Sequence, residues 1–198
     1  MRLHEPLFNA LAARLVSTRL RADAVSLASI PPALIAGFCA AQGWFWASAA
    51  FFLASGFADL LDGALARTSG TSSRFGALLD SSLDRVADGC IPLGLMVFYA
   101  PFGSVVLVPG AALLFGLWIP YIRARAQSLQ LNLPRLWMRR EDRFALLVVG
   151  LVLAPFDWAQ HPLPATPVLV ALLAIALPGA VAGMMALQAA ARAARRDK

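Results

Sequence analysis

Charge is scarce in this chain. Asp, Glu, Lys and Arg supply 14% of its 198 residues, while 60% of the residues are hydrophobic. An ordinary soluble domain carries about 25% charged and roughly 45–50% apolar residues. With a mean hydropathy of +0.70, the composition excludes a water-soluble globular domain and predicts an integral membrane protein. Cysteine is nearly absent. Cys39 and Cys90 sit in apolar runs without metal-ligand spacing, which leaves them as small apolar fillers and says nothing of the redox compartment. There is no internal repeat and no low-complexity segment. No cleavable signal peptide is evident, because the first long apolar run begins near Ala24 and is too long for a signal core.

What is present is a succession of apolar runs. The length favours one domain over 1–198. At about 20 residues per crossing, there is room for six transmembrane helices with short loops. The predicted class is therefore all-α, with spans at about 24–41, 44–67, 74–99, 104–126, 139–155 and 168–190. Residues 3–20 are expected to form an amphipathic interfacial helix. Leu7, Leu11 and Leu15 recur every four residues, Phe8 and Val16 flank them, and Arg14 and Arg19 lie elsewhere. That pattern suits a helix lying in the headgroup layer, and equally one packed on the protein. Asp23 or Ser26 is the expected cap of the next helix. Pro31-Pro32 is expected to kink the first span, and Trp44 and Trp46 to sit at the outer interface.

The formal charge of +6 is topological and does not imply a nucleic-acid partner. Arg2 to Arg21, Arg67, Arg74, Arg85, the Arg123–Arg143 group and the C-terminal tail all fall on one side of a six-span layout. The three opposite loops, near Gln42, Pro101 and 155–167, contain no Lys or Arg. The positive-inside rule then places the basic side and both termini in the cytoplasm, for a protein of the plasma (inner) membrane surrounded by membrane lipids.

Against this apolar background, Asp59, Asp62, Asp80 and Asp84 place four carboxylates within 26 residues. At about 100° per residue, Asp59, Asp62, Gly63 and Ala66 share one helix face. Asp80 and Asp84 share another, with Gly76 one turn before them. Intramembrane carboxylates are costly and mark function by default. Structural salt bridges to Arg67, Arg74 and Arg85 would account for some of the charge. A proton or cation pathway fits less well, since no similar residue lies deeper in the spans. A divalent-metal site fits best: oxygen ligands without His or Cys select Mg²⁺ or Mn²⁺ over zinc, and such ions clamp diphosphates in phosphoryl transfer. Gly63 and Gly76 remove a side chain beside an acid, and Ala66 keeps the same face low, so a nucleotide can approach the backbone.

The pattern Asp59-x2-Asp62-Gly63-x2-Ala66-Arg67-x8-Gly76-x3-Asp80-x3-Asp84 resembles, without a departure, the signature of the CDP-alcohol phosphatidyltransferases. The six-span layout, cytosolic site and N-terminal amphipathic helix are similar to that family too. The resemblance implies transfer of a phosphatidyl group from CDP-diacylglycerol to an alcohol, with CMP leaving. It implies that Asp59, Asp62, Asp80 and Asp84 hold metal, with two divalent ions expected. Asp84 doubles as the base that takes the acceptor hydroxyl proton. Gly63, Ala66, Arg67 and Gly76 would bind the CDP-lipid, and a homodimer is the family expectation.

Three further stretches bear on the acceptor. Tyr121-Ile122-Arg123-Ala124-Arg125-Ala126, Arg140-x2-Arg143 and Asp84-Arg85-x2-Asp88-Gly89 resemble sequences of the phosphatidylinositol-phosphate synthase branch. There the basic residues bind the phosphate of a phosphorylated polyol, commonly inositol 1-phosphate. Arginine forks suit that phosphate, so Arg123, Arg140 and Arg143 are the expected acceptor-phosphate ligands, whereas Arg135, Arg139 and the tail read as topology signals. Arg123 stands where that branch usually has Lys, Gln127 where an acid often follows, and Ala22 where a Pro is usual. Glycerol 3-phosphate or an unphosphorylated alcohol such as serine therefore remain alternative acceptors. A membrane prenyltransferase and a non-catalytic transporter or scaffold are the readings from other classes.

Overall fold

The computed structural model describes residues 22–69, 73–131, 133–134, 137–156 and 163–196; within these, the side chains of 22–23, 62–63, 66–69 and 194–196 are left undescribed. The expected helix over 3–20 lies outside the described residues. The described residues form seven α-helices in order: α1 (Ala22–Ala28), α2 (Ile30–Ala41), α3 (Phe45–Ser69), α4 (Arg74–Tyr99), α5 (Leu107–Ser128), α6 (Arg140–Leu153) and α7 (Thr166–Arg196). Short 3₁₀ turns at Ala100–Val106 and Ala154–Phe156 follow α4 and α6. No strand occurs among the described residues.

Among the described residues, three continuous helical stretches are long and apolar enough to cross a membrane: Ala24–Ala41, Arg74–Ser128 and Thr166–Ala193. The middle one runs 55 residues, but it reverses at Phe102 and Gly103, whose φ of +64° is open to glycine, and so comprises α4 and α5. Phe45–Leu61 is a shorter apolar helix. Large apolar side chains such as Leu93, Val97, Leu107, Val170 and Leu177 point outward, exposed by half or more. Such a surface belongs in lipid, and the chain is an all-helical membrane protein.

The helices close into a ring. α2 packs on α3 and α4, α4 on α5, α5 on α7, α7 on α6, and α6 back on α3. Phe52, Leu95, Tyr99, Leu147, Leu151 and Leu172 fill the centre. Lipid tails are as apolar as leucine, so the helices gain little from burying apolar surface and associate through close contact and polar bonds instead. Ala33, Ala36, Gly37 and Ala40 line one buried face of α2. A methyl group on Gly94 of α4 would collide with the Gly37 backbone, and one on Gly37 would meet the Cys90 carbonyl. Ser48 and Ser55 of α3 donate across to the Ala36 and Ser29 carbonyls at 2.8 Å each.

Two local expectations need correction. The break in the first span falls at Ser29, between α1 and α2, rather than at Pro31-Pro32. The prolines lie in the first turn of α2, where a missing N–H costs no helical bond. Ser26 is not a cap. It lies inside α1, and its carbonyl accepts from the Ser29 backbone and hydroxyl. Cys39 and Cys90 are free and buried, as apolar fillers should be.

Candidate active site

The site is built at one end of α3, α4 and α6. Ser73 caps α4: its Oγ accepts from the Gly76 N–H at 2.8 Å, satisfying a donor that the first helical turn leaves open. From that fixed start, Asp80, Asp84 and Asp88 follow at one-turn intervals along α4. Asp59 comes from α3. Carboxylate oxygens of Asp59, Asp80 and Asp84 all lie within 4.8 Å of one another, a spacing and an all-oxygen donor set that a hard divalent cation can bridge.

The facing helix is set by its aromatic residue. Phe144 of α6 stacks on Phe52 of α3 with ring centroids 4.4 Å apart. It also fills the space left open at Gly56, where a Cβ would collide with its ring. One turn back from Phe144 is Arg140, and one turn on from Gly56 is Asp59. The same helix rotation therefore brings Arg140 onto the acids. Its Nη1 lies 2.6 Å from Asp59, its Nη2 3.0 Å from Asp84, and its Nε 3.2 Å from Asp88. Arg143, on the neighbouring face, is buried. It donates through Nη2 to Asp88 at 2.7 Å and through Nη1 to the Met138 carbonyl at 3.1 Å. Gly116 of α5 makes room for its stem: a methyl group there would already stand 3.6 Å from Arg143 Cδ and Nε. The Arg139 N–H donates to Asp142 at 2.9 Å, closing the start of α6.

The structure thus brings together five residues singled out from sequence: Asp59, Asp80, Asp84, Arg140 and Arg143. Gly76 joins them through the start of α4. Asp62, Gly63, Ala66 and Arg67 lie on the last turns of α3, and their side chains are outside the described set. Arg123 is exposed near the end of α5, and among the described residues it forms no ion pair with the acids. In the sequence, Asp88 is only part of a matching stretch and carries no assigned role. Its place one turn beyond Asp84 was the available signal, and the structure makes it the acceptor for both arginines. Beneath it, a small cavity of about 20 Å³ is lined by Asp88, Pro92, Gly116, Arg143, Phe144 and other apolar side chains. Pro92 has no N–H for the Asp88 carbonyl one turn back.

The phosphatidylinositol phosphate synthase of Cutibacterium acnes is 32% identical over 196 residues, covering 93% of this chain and 92% of that protein. The archaetidylinositol phosphate synthase of Methanothermobacter thermautotrophicus is 38% identical over 132 residues, 66% of each chain. Crystal structures of the Mycobacterium tuberculosis phosphatidylinositol phosphate synthase share the fold at 24% identity. The one with CDP-DAG bound has a TM-score of 0.81 and matches 93% of this chain and 94% of that one. A second, in complex with manganese and citrate, also has a TM-score of 0.81, matching 92% and 88%. The CDP-alcohol phosphatidyltransferase family model matches residues 20–193, a stretch that holds every residue of the acid–arginine cluster, and the chain belongs to that enzyme family.

Proposed function

We propose that this enzyme transfers a phosphatidyl group from CDP-diacylglycerol to a phosphorylated polyol, inositol 1-phosphate, with release of CMP. The observation that carries this reading is the contact of Arg140 with Asp59 and Asp84, two of the three converging carboxylates: an acidic site for a cation, directly beside a basic site for an anion. The relatives named for inositol phosphates support the choice of acceptor.

In this reading Asp59, Asp62, Asp80 and Asp84 hold two divalent ions, Mg²⁺ or Mn²⁺. Bound there, the ions neutralise charge on the diphosphate as CMP departs. Gly63, Ala66, Arg67 and Gly76 form the face that the cytidine diphosphate approaches. Asp84 accepts the proton of the acceptor hydroxyl, an alcohol being a weak nucleophile without a base within hydrogen-bond reach. The hydroxyl oxygen then bonds to the lipid-side phosphorus, and the bond from that phosphorus to the CMP oxygen breaks. Arg140 and Arg143, together with Arg123, bind the acceptor phosphate. That phosphate competes with Asp59 and Asp84 for the terminal nitrogens of Arg140.

The wider arrangement follows the same reading. The chain is a single domain with six spans and an interfacial helix over 3–20. The termini and site face the cytoplasm across the plasma membrane, and the enzyme works as a homodimer. The test is turnover of labelled CDP-diacylglycerol by purified protein against inositol 1-phosphate, inositol, glycerol 3-phosphate and serine, with and without EDTA. Metal-dependent CMP release with inositol 1-phosphate preferred is expected. Preference for glycerol 3-phosphate or serine would reassign the acceptor, and full turnover in chelator would remove the metal.

A further inference from the structure

The pairing of Asp88 carries an inference that rests on the reading of Arg140 and Arg143 as acceptor-phosphate ligands. We propose that Asp88 is a positioning residue for the acceptor site, holding the two guanidinium groups in one fixed relation through the two oxygens of its carboxylate. Oδ1 takes the Nε of Arg140 at 3.2 Å and Oδ2 takes the Nη2 of Arg143 at 2.7 Å. Each oxygen thus serves one arginine, and neither arginine can rotate without losing a charged bond.

The surroundings make this restraint necessary. Arg140 and Arg143 lie three residues apart on α6, about 300° around the helix, and long arginine side chains hold many rotamers when unrestrained. Asp88 sits on a different helix, so it fixes both against α4, the element that also carries Asp80 and Asp84. The Met138 carbonyl holds the other side of Arg143 at 3.1 Å. Met138 has φ +55°, an uncommon conformation for a residue with a Cβ, so this carbonyl is presented by a backbone turn of defined shape. Asp88 is not among the three carboxylates whose oxygens converge within 4.8 Å. Its task is therefore separable from cation binding. It sets where the acceptor phosphate sits relative to the base, Asp84, one turn away.

The experiment compares Asp88→Asn and Asp88→Glu with the wild type in detergent, reading kcat, the KM for inositol 1-phosphate, the KM for CDP-diacylglycerol and the melting temperature. Asn keeps the shape but loses the charge, and Glu keeps the charge but moves it. The expected result for Asp88→Asn is an acceptor KM raised about tenfold or more, with kcat and the donor KM little changed. Asp88→Glu is expected to recover part of the acceptor KM. Arg143 is buried, so Asp88→Asn leaves a buried charge less well compensated. If that variant does not fold, Asp88→Glu alone is read, and a raised acceptor KM at an unchanged donor KM supports the proposal. A fall in kcat at constant acceptor KM, or a lowered melting temperature with wild-type constants in either variant, overturns it. Failure of the underlying reading looks different: the wild type itself would then prefer an acceptor without phosphate.

Discussion

Replacing Arg140 with alanine removes three charged contacts at once, those of 2.6 Å to Asp59, 3.0 Å to Asp84 and 3.2 Å to Asp88. Two effects follow, and they have opposite signs. The first falls on the acceptor. A charge-assisted bond to phosphate is worth about 1.5–3 kcal/mol, which converts to roughly 10–150-fold in affinity at 1.4 kcal/mol per decade. Arg140 already shares its charge with three carboxylates, and its side chain is 29% exposed, so the lower end applies: about tenfold in acceptor KM, with the donor KM nearly unchanged. The second effect falls on the cation. Asp59 and Asp84 belong to the converging carboxylates and are also the partners of Arg140, so a guanidinium and a divalent ion compete for the same oxygens. Arg140→Ala is therefore expected to lower the Mn²⁺ concentration needed for half-maximal turnover, and to tighten Mn²⁺ binding measured directly by electron paramagnetic resonance without substrate. An acceptor KM and a Mn²⁺ affinity both equal to wild type would refute the coupling. A weakened Mn²⁺ affinity would show that Arg140 organises the acids rather than competing for them.

Other residues give independent tests. Asp84→Asn is expected to lower turnover by about 10²–10⁴-fold, the range for a lost general base, while binding of CDP-diacylglycerol in an equilibrium assay survives on the remaining acids; wild-type turnover would remove Asp84 as the base. For topology, a thiol label at Ser69→Cys is expected to react only from the cytoplasmic side and one at Gln160→Cys only from outside, and same-side labelling would refute the six-span layout. Two glycines separate packing from function. Gly94→Ala drives a methyl into the Gly37 backbone and is expected to cost about 1–3 kcal/mol or more of stability, whereas Gly116→Ala meets Arg143 at an ordinary 3.6 Å and is expected to melt close to wild type.

Much of the helical order was legible because apolar runs and turn residues are strong signals. Residues 74–99 were expected as one span, and α4 covers Arg74–Tyr99. A loop is expected near Pro101, and the backbone reverses beside it at Phe102 and Gly103. Helix ends were less legible. A proline pair reads equally as a kink or as a first turn, and only packing decides; here Ser29 accepts from Ser55 of α3 and marks the boundary. The convergence of Asp59, Asp80 and Asp84 was legible from helical spacing, because each helix already aligns its own acids. The partners of the arginines were not. Spacing along α6 separates Arg140 from Arg143 but does not say which helix each one faces. That depends on Phe144 seating against Phe52 and Gly56, a contact between residues nearly a hundred positions apart. Asp88 shows the same limit: it shares the four-residue spacing of Asp80 and Asp84, yet its role comes from α6, far along the chain.

The arginines also bear on how an apolar bundle tolerates its acids. Asp59, Asp84 and Asp88 have only 14–19% of their side chains exposed, and like charges so placed repel strongly where water is scarce. The bundle therefore needs positive charge at this point at every stage of a reaction cycle in which ligands come and go. Arg140 supplies it from within the chain, reaching all three acids with a single guanidinium. Arg143 does not take over that task, because its guanidinium lies against Asp88 and the Met138 carbonyl and not between Asp59 and Asp84. The two arginines, three residues apart on one helix, share one anchor: Arg140 can yield Asp59 and Asp84 to a cation while its Nε stays on Asp88, and Arg143 on the other oxygen of Asp88 holds α6 in register with α4. On this argument a lysine at 140, with one compact charge in place of a fork, could neutralise one acid but not bridge three, and Arg140→Lys should behave closer to alanine than to arginine in the acceptor KM.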